Sequence, residues 1–253
     1  RQMCIRDSAD IEDKIKGGAL CVILDRLKAA GYTISFELYN AANFGAPQIR
    51  ERVVMIGKLG DEKVAHLSPT HDENGDYGLE RWRTLKDAVQ DIESKEQHYI
   101  EFPEKRLRFY RMLKEGQYWK DLPNEVLEEA MGSKLNLGGG KTGFYRRLRF
   151  NRPSPTLVTD PTMPATDLCH PTENRPLSVE EYARIQEFPD DWTICGPIKE
   201  QYRQIGNAVP VKLGEAIAKT ILADMHGEKL RQIPGFSYSR YKNTSEISWQ
   251  AEM

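Results

Sequence analysis

Two short apolar strands with no third beside them set the first constraint. Thr33 to Leu38 reads as one strand, and Val53-Val-Met-Ile-Gly57 is a second, apolar enough to be buried. Two strands rarely stand alone in water, so the pair reads as the end of a larger α/β sheet. Leu20, Ile23, Leu24 and Leu27 recur ahead of it at helical spacing, and Gly31 follows as a C-cap.

From about Leu67 to Gly132 proline and glycine punctuate the chain, with polar helices such as Pro123 to Met131. Leu135 to Thr162 mixes glycine, arginine, aromatic and β-branched residues, a composition of short strands and irregular loops. Order returns at Ser178-Val-Glu-Glu181, a capping-box pattern, and that helix ends by Pro189. A last helix covers Val211 to Leu222. The tail after His226 is polar, with scattered Tyr and Trp, and reads as only partly ordered.

No stretch of the 253 residues approaches the roughly twenty apolar residues that span a bilayer. The opening RQMCIRDS has no apolar signal region. The four cysteines form neither a CxxC pair nor a regular framework, and no two histidines stand at the spacing of a metal site. These features point to a cytoplasmic protein with reduced thiols, no membrane partner and no metal. The formal charge of -2 argues against bulk polyanion binding, but Lys141 to Arg152 carries five cations and no acid. Such a local basic face fits nucleic acid at one surface, and equally a solvated positive face.

Three blocks carry a resemblance. Asn43-Phe-Gly-Ala-Pro-Gln-Ile-Arg-Glu-Arg-Val53, Arg175-Pro-Leu-Ser-Val-Glu-Glu-Tyr-Ala-Arg-Ile-Gln-Glu-Phe-Pro189 and Gln201-Tyr-Arg-Gln-Ile-Gly-Asn-Ala-Val-Pro210 are similar, in this order, to blocks in the C-terminal half of the cytosine-C5 DNA methyltransferases. The resemblance covers about residues 17 to 223. It implies an α/β fold: an incomplete Rossmann-like, S-adenosylmethionine-dependent methyltransferase domain plus a mixed target-recognition domain. The division it suggests is a non-native or truncated start at 1–16 and the C-terminal portion of the catalytic sheet at 17–66. A recognition region and hinge at 67–189, a return segment at 190–225 and the polar tail at 226–253 complete it.

Two arginines two residues apart on an extended segment point to one side and can hold a phosphate or a carbonyl with their forks. The resemblance gives Arg52 to the flipped target cytosine and Arg50 to phosphate or to the pocket wall. Gln48 is placed on the DNA side of the same block, with a structural role joining the loop to its neighbours. Thr156 and Leu157, in Ser154-Pro-Thr-Leu-Val-Thr159, match a Thr-Leu pair close to the flipped base's phosphate. Arg146, Arg147, Arg149 and Arg152 can meet phosphates or guanine edges, with Lys141 and Tyr145 as further contacts to double-stranded DNA. The resemblance implies that Asn207 and the backbone of Ala208 contact S-adenosylmethionine. Arg175, Glu181, Arg184 and Gln186 are scaffold, with Glu181 and Arg184 expected to help join the recognition domain to the catalytic one.

The family's reaction needs a cysteine nucleophile in a Pro-Cys block and a glutamate in a Glu-Asn-Val block. Neither block occurs, and Cys4, Cys21, Cys169 and Cys195 each follow a residue other than proline. The expectation is a methyltransferase part that needs an N-terminal catalytic half, lost by truncation or supplied as a complementary subunit. A catalytically inactive DNA-binding module and a purely structural α/β remnant are the alternatives.

Overall fold

The computed structural model describes residues 19–92, 96–136 and 141–251. The expected non-native start, Cys4 and the glycine run at 138–140 lie outside them. In chain order the elements are α1 (Ala19–Ala29), β1 (Tyr32–Asn40), β2 (Gln48–Ile49), β3 (Glu51–Leu59), β4 (His71–Asp72), β5 (Glu80–Arg81) and α2 (Leu85–Val89). There follow α3 (Glu104–Tyr110), α4 (Asn124–Met131), β6 (Ser154–Pro155), α5 (Val179–Ile185), α6 (Ile198–Asn207), α7 (Val211–His226) and α8 (Glu246–Ala251). No described helix is long and apolar enough to cross a membrane.

The chain divides into two compact units. The first holds described residues 19–45, 50–82 and 212–251, and the second 46–49 and 83–211.

In the first unit β1 and β3 pair antiparallel over nine residues each, with Phe36 opposite Met55. Leu20 and Leu24 of α1 pack on Ile34 and Phe36 with Leu27 partly buried beside them, whereas Ile23, the fourth position that the helical spacing marked, is exposed. Gly31 ends α1 at φ 85°, a left-handed conformation that glycine adopts without strain. At the far end of β1, Asn40 Oδ1 accepts from Ala42 N and from Arg50 N, each at 3.2 Å. One side chain thus gathers the base of the 41–50 loop.

The tail corrects an expectation. Rather than loosely ordered, it lies along the outer edge of β1, because it carries the polar groups which that edge needs. Asn40 N donates to Tyr238 O at 2.8 Å, Phe36 N donates to the Glu246 carboxylate at 2.8 Å, and Thr244 donates its hydroxyl proton to Glu37. Leu38 N donates to Glu37 Oε1 at 2.7 Å. Glu246 is buried, with Lys63 Nζ at 2.7 Å and His66 Nε2 at 2.9 Å.

The second unit has two apolar clusters. One joins α2, α5 and α6 through Leu85, Val89, Val179, Tyr182, Ile185, Tyr202 and Ile205. The other gathers Phe109, Tyr110, Trp119, Leu122 and Met131 around α3 and α4. The capping box on α5 forms as its sequence spells it, with Glu181 N donating to Ser178 Oγ at 3.1 Å and Ser178 N to Glu181 Oε2 at 2.6 Å. Glu181 also receives both arms of the Arg175 guanidinium at 2.8 and 2.9 Å. These buried groups are not the solvated surface pairs that isolated charges suggest. Arg184 bonds Asp91 and Asp190, so it and Glu181 tie the second unit to itself.

Burial alone would raise the pKa of Glu246, but bonds from His66, Lys63 and Phe36 N outweigh it and hold the carboxyl at about 2, below its ordinary 4.5. A group depressed in the folded state contributes stability above its unfolded pKa and loses it as pH falls through the folded one. The tail should therefore be held fully above pH 4.5 and loosen between pH 4.5 and about 2. Hydrogen-exchange protection at Phe36 should fall over that window, and Glu246→Gln should remove the dependence. Protection that does not change with pH would refute the assignment.

Candidate functional site

Two glutamines organise the second unit's polar centre. Gln48 and Gln186 are fully buried. Gln48 Nε2 donates to Gln186 Oε1 at 2.7 Å, and Gln48 Oε1 accepts from Leu157 N at 3.0 Å. Gln186 Nε2 donates onward to Ala208 O. An amide has one acceptor oxygen and a donor nitrogen, so each commitment fixes the next and the relay has one consistent polarity. Beside it β2 pairs parallel with β6, Gln48 opposite Ser154. Ser154 N donates to Pro47 O at 2.9 Å, and Thr156 Oγ1 donates to Ile49 O at 2.8 Å.

α6 closes this centre through Gly206. A Cβ there would stand 2.6 Å from Val158 O, a distance that real side chains do not tolerate. Gly206 is glycine because the helix backbone lies against the backbone of Val158 and Thr159. The structure therefore gathers Gln48, Thr156, Leu157, Gln186 and the Gly206–Ala208 turn, which come from four separate stretches of sequence. Gln48 and Leu157 are buried in this arrangement. That corrects their placement as DNA contacts, because the Gln48 amide is spent on Leu157 N and Gln186 Oε1.

Arg50 and Arg52 follow Gln48 in the chain and belong to the first unit. Arg50 is buried, and its carbonyl accepts from Ala41 N at 2.9 Å. Arg52 stands opposite Tyr39 in the β1–β3 register, with Nη1 donating to Glu51 O at 2.7 Å.

The basic segment does not stay together as one face. Arg147 is buried, its guanidinium donating to Tyr110 O at 2.8 Å, His170 O at 2.9 Å, Glu173 O at 2.6 Å and Asn174 Oδ1 at 2.6 Å. Tyr145 is buried against Phe109 and Tyr110, with its hydroxyl on Ala130 O at 3.1 Å. Neither is available to DNA, and both expectations are corrected: the segment's apolar and hydrogen-bonding needs pull alternate residues inward. Arg146 is half-buried, its Nε on Asp167 O at 3.1 Å. Lys141 donates to Leu135 O at 2.7 Å and lies over the Trp119 ring. Arg149 and Arg152 are exposed.

Asp167 is the residue that sequence reading missed. It is fully buried, ion-paired with Arg106, and accepts from Tyr145 N at 2.9 Å. Burial pushes its carboxyl up to about 6 against the pull of Arg106. Its carboxylate is taken by Arg106 and Tyr145 N, 61 and 22 residues away, so no local pattern in the sequence marks it. Cys169 beside it is buried, and burial pushes its thiol up to about 12, the opposite of what a nucleophile needs.

A family model of C-5 cytosine-specific DNA methylases matches residues 9–223. The chain belongs to that family. The type II methyltransferase M.PspPI of Psychrobacter sp. is 41% identical over 214 residues, a match covering 81% of this methylase chain and 50% of the relative. M.Eco47II of Escherichia coli is 38% identical over 213 residues with the same coverage, 81% and 50%. The methylase chain thus spans about half the length of these curated relatives. A solved structure from an E. coli prophage, described as a candidate DNA modification methyltransferase, superposes with a TM-score of 0.51 at 19% identity, covering 85% of this chain and 67% of that one. That likeness is one of fold: a mixed α/β methyltransferase-like core with added helical and strand elements. Each of the methylase blocks at 43–53, 175–189 and 201–210 supplies one partner to the glutamine relay. The tail residues after 223 lie beyond the family match.

Gln48→Leu preserves bulk and removes the relay. Two buried partners, Gln186 Oε1 and Leu157 N, are left behind, at about 1–3 kcal/mol each. Urea unfolding should show a loss of that order, and Lys141→Ala should change stability by less than about 1 kcal/mol. Equal effects from the two substitutions would remove Gln48 from its central place.

Proposed function

We propose that this chain supplies DNA target recognition and part of the flipped-cytosine pocket of a cytosine-C5 DNA methyltransferase of restriction–modification type. The observation that supports it is the convergence of the family's blocks on the Gln48–Gln186 relay, with Arg50 and Arg52 next in the chain. A rigid mount directly ahead of two arginines suits a pocket that must hold a base outside the helix. Base extrusion costs a few kcal/mol of unstacking and unpairing, which phosphate and pocket contacts must offset. In this reading Thr156 lies near the extruded nucleotide's phosphate, Arg52 meets the base's carbonyl edge, and Arg149 and Arg152 meet backbone phosphates.

S-adenosylmethionine, when bound, supplies the methyl group. Asn207 fits a role in holding it: the residue is exposed, and its side-chain amide makes no hydrogen bond among the described residues. Ala208 does not fit as expected, because its N–H is on Ile205 O at 3.1 Å and its carbonyl takes Gln186. The nucleophile comes in this reading from the part of the enzyme that this chain does not match, and methyl transfer belongs to the completed enzyme. Labelled methyl transfer to mixed-sequence duplex DNA is the deciding assay. It should be absent from the 253-residue chain and appear on adding the remaining half, and transfer by the chain alone would overturn the reading.

Duplex binding should weaken as salt rises. Arg149→Ala with Arg152→Ala should reduce the log–log salt slope by about two units. An unchanged slope would move the DNA face elsewhere.

Arg52→Ala in the completed enzyme should spare duplex binding and damage turnover, since its contact exists only after flipping. Loss of a charge-assisted hydrogen bond of about 1.5–3 kcal/mol corresponds to a fall of roughly 10- to 150-fold. Wild-type single-turnover methylation by a normally folded Arg52→Ala enzyme would sink the assignment.

A further inference from the structure

In the second unit α5 ends on a residue that its backbone does not favour. Phe188 N donates to Ala183 O at 2.9 Å and Glu187 N to Arg184 O at 3.1 Å, a paired closure that places a left-handed residue just after the helix. Glu187 is that residue, at φ 70°. Glycine takes this conformation without strain, as Gly31 does at the end of α1. A longer residue kept there in spite of the strain points to a task for its side chain. The Glu187 side chain is 9% exposed, and Arg83 Nη1 stands 3.6 Å from its Oε1. Arg83 itself is 40% exposed, with Nη2 reaching Asp87 O at 3.5 Å. One arm of the guanidinium is thus turned to an enclosed carboxylate while much of the side chain stays open to solvent.

Arg83 stands directly before the Thr84–Asp87 capping box of α2. The Asp87 carboxylate is committed to that box, accepting from Thr84 N at 2.7 Å and Thr84 Oγ1 at 2.8 Å. Just beyond, Leu85 N donates to Arg152 O at 2.8 Å and Lys86 N to Phe150 O at 3.0 Å. These bonds lay the start of α2 against the end of the basic segment, so that Arg83 and Lys86 sit on backbone next to that of Arg149 and Arg152. Lys86, Arg149 and Arg152 are exposed. The basic segment alone does not hold together as one face, but its outward residues gain cations here from a distant stretch of the chain, all within the second unit.

We propose that Arg83 contacts a backbone phosphate of duplex DNA on this edge, and that Glu187 is the residue that positions it. A guanidinium fork matches the geometry of a phosphate. A long side chain gives up rotamer freedom when it binds, and a carboxylate that already holds one arm has ordered the arginine in advance. That role gives the strained residue after α5 its reason: glycine would close the helix equally well but would leave Arg83 unheld. The inference deepens the reading above and rests on it for DNA as the ligand. The sign of one effect separates positioning from plain electrostatics. Removing the Glu187 charge makes the edge more positive, so charge alone predicts tighter binding to phosphate, whereas loss of positioning predicts weaker binding.

The test measures binding of the full 253-residue chain to mixed-sequence duplex DNA, by fluorescence anisotropy across a salt series, with thermal unfolding followed on each variant. Arg83→Gln should weaken binding on unrelated duplexes alike and lower the log–log salt slope by about one unit. Glu187→Gly should weaken binding roughly 2- to 13-fold, the cost of ordering one long side chain at an interface. Glu187→Gln, which keeps the bulk and removes the charge, takes its place if Glu187→Gly does not fold, with the same direction expected. Combined with Arg83→Gln, either Glu187 substitution should add nothing further, because no arginine is left to position. Tighter or unchanged binding by the folded Glu187 variants, an unchanged slope in Arg83→Gln, or additive losses in the double variant would each overturn the proposal. Failure of the wild-type chain to bind duplex even at low salt would refute the functional reading and this surface with it. Normal wild-type binding that ignores Arg83 and Glu187 would refute the surface and leave the functional reading standing.

Discussion

The buried amide relay from Leu157 through Gln48 and Gln186 to Ala208 is the interaction on which the rest of the candidate site depends. Its bonds are individually modest, about 1 kcal/mol net each. Their leverage comes from burial, since any member that turns away leaves its neighbours unpaired in a medium that water does not reach. The relay therefore behaves as one latch rather than as separate contacts. It fixes residues 46–49 in the second unit while the chain on either side belongs to the first. Asn40 does the matching work from the first unit by holding Arg50 N. Within the first unit, the bonds of Asn40 Oδ1 to Arg50 N and of Ala41 N to Arg50 O hold the backbone from which Arg50 projects.

Charge inside the second unit is handled in two ways. Arg175 and Glu181 form a bidentate pair, and the same carboxylate caps α5. Removing either partner of such a pair is costly because the other stays buried and charged. Arg147 meets neutral oxygens instead, three carbonyls and an amide. A planar guanidinium with five donors can be satisfied by dipoles that a lysine could not reach together. The loop of 143–149 is set by the same logic. Asp167 holds Tyr145 N and Arg106. Gly143 leaves room for Ala165 O, which a Cβ would approach to 1.9 Å.

What the sequence showed of the fold came from local signals. The Ser178–Glu181 box, Gly31 and the strand at Val53 each carry their cause within a few residues and form where they were read, whereas on α1 Leu20 and Leu24 are buried and Ile23, read on the same face, is exposed. The strands run longer than read, because pairing extends them to Asn40 and Leu59. The candidate site was legible as blocks but not as contacts. Nothing near Gln48 announces that its partner lies at Gln186, and nothing in Arg-Arg-Leu-Arg distinguishes the arginine that goes inside from the one that stays out. That choice is made by carbonyls at Tyr110, His170 and Glu173, which are invisible to composition. The tail was misread for a related reason. Polarity usually marks solvent, yet here it marks the hydrogen-bonding demand of a strand edge.

The two edges of the β1–β3 pair take this point furthest. Both present the same row of backbone groups, so the ladder alone gives no reason to prefer one. The difference comes from side chains far away in sequence. Glu246 reaches Phe36 across 210 residues, and Lys63 and His66 offset its burial. Covering one edge with a carboxylate held by Lys63 and His66 makes the two edges unequal among the described residues. The apolar run of β3 explains which side was left open, since a strand apolar at every position from Val53 to Ile56 is suited to a sheet interior and not to a rim. The cover lies on residues beyond the family match, whereas β3 lies within it. The capping of β1 is thus a feature of this chain's own tail, laid over a strand pair whose apolar pattern already asked for neighbours on the other side.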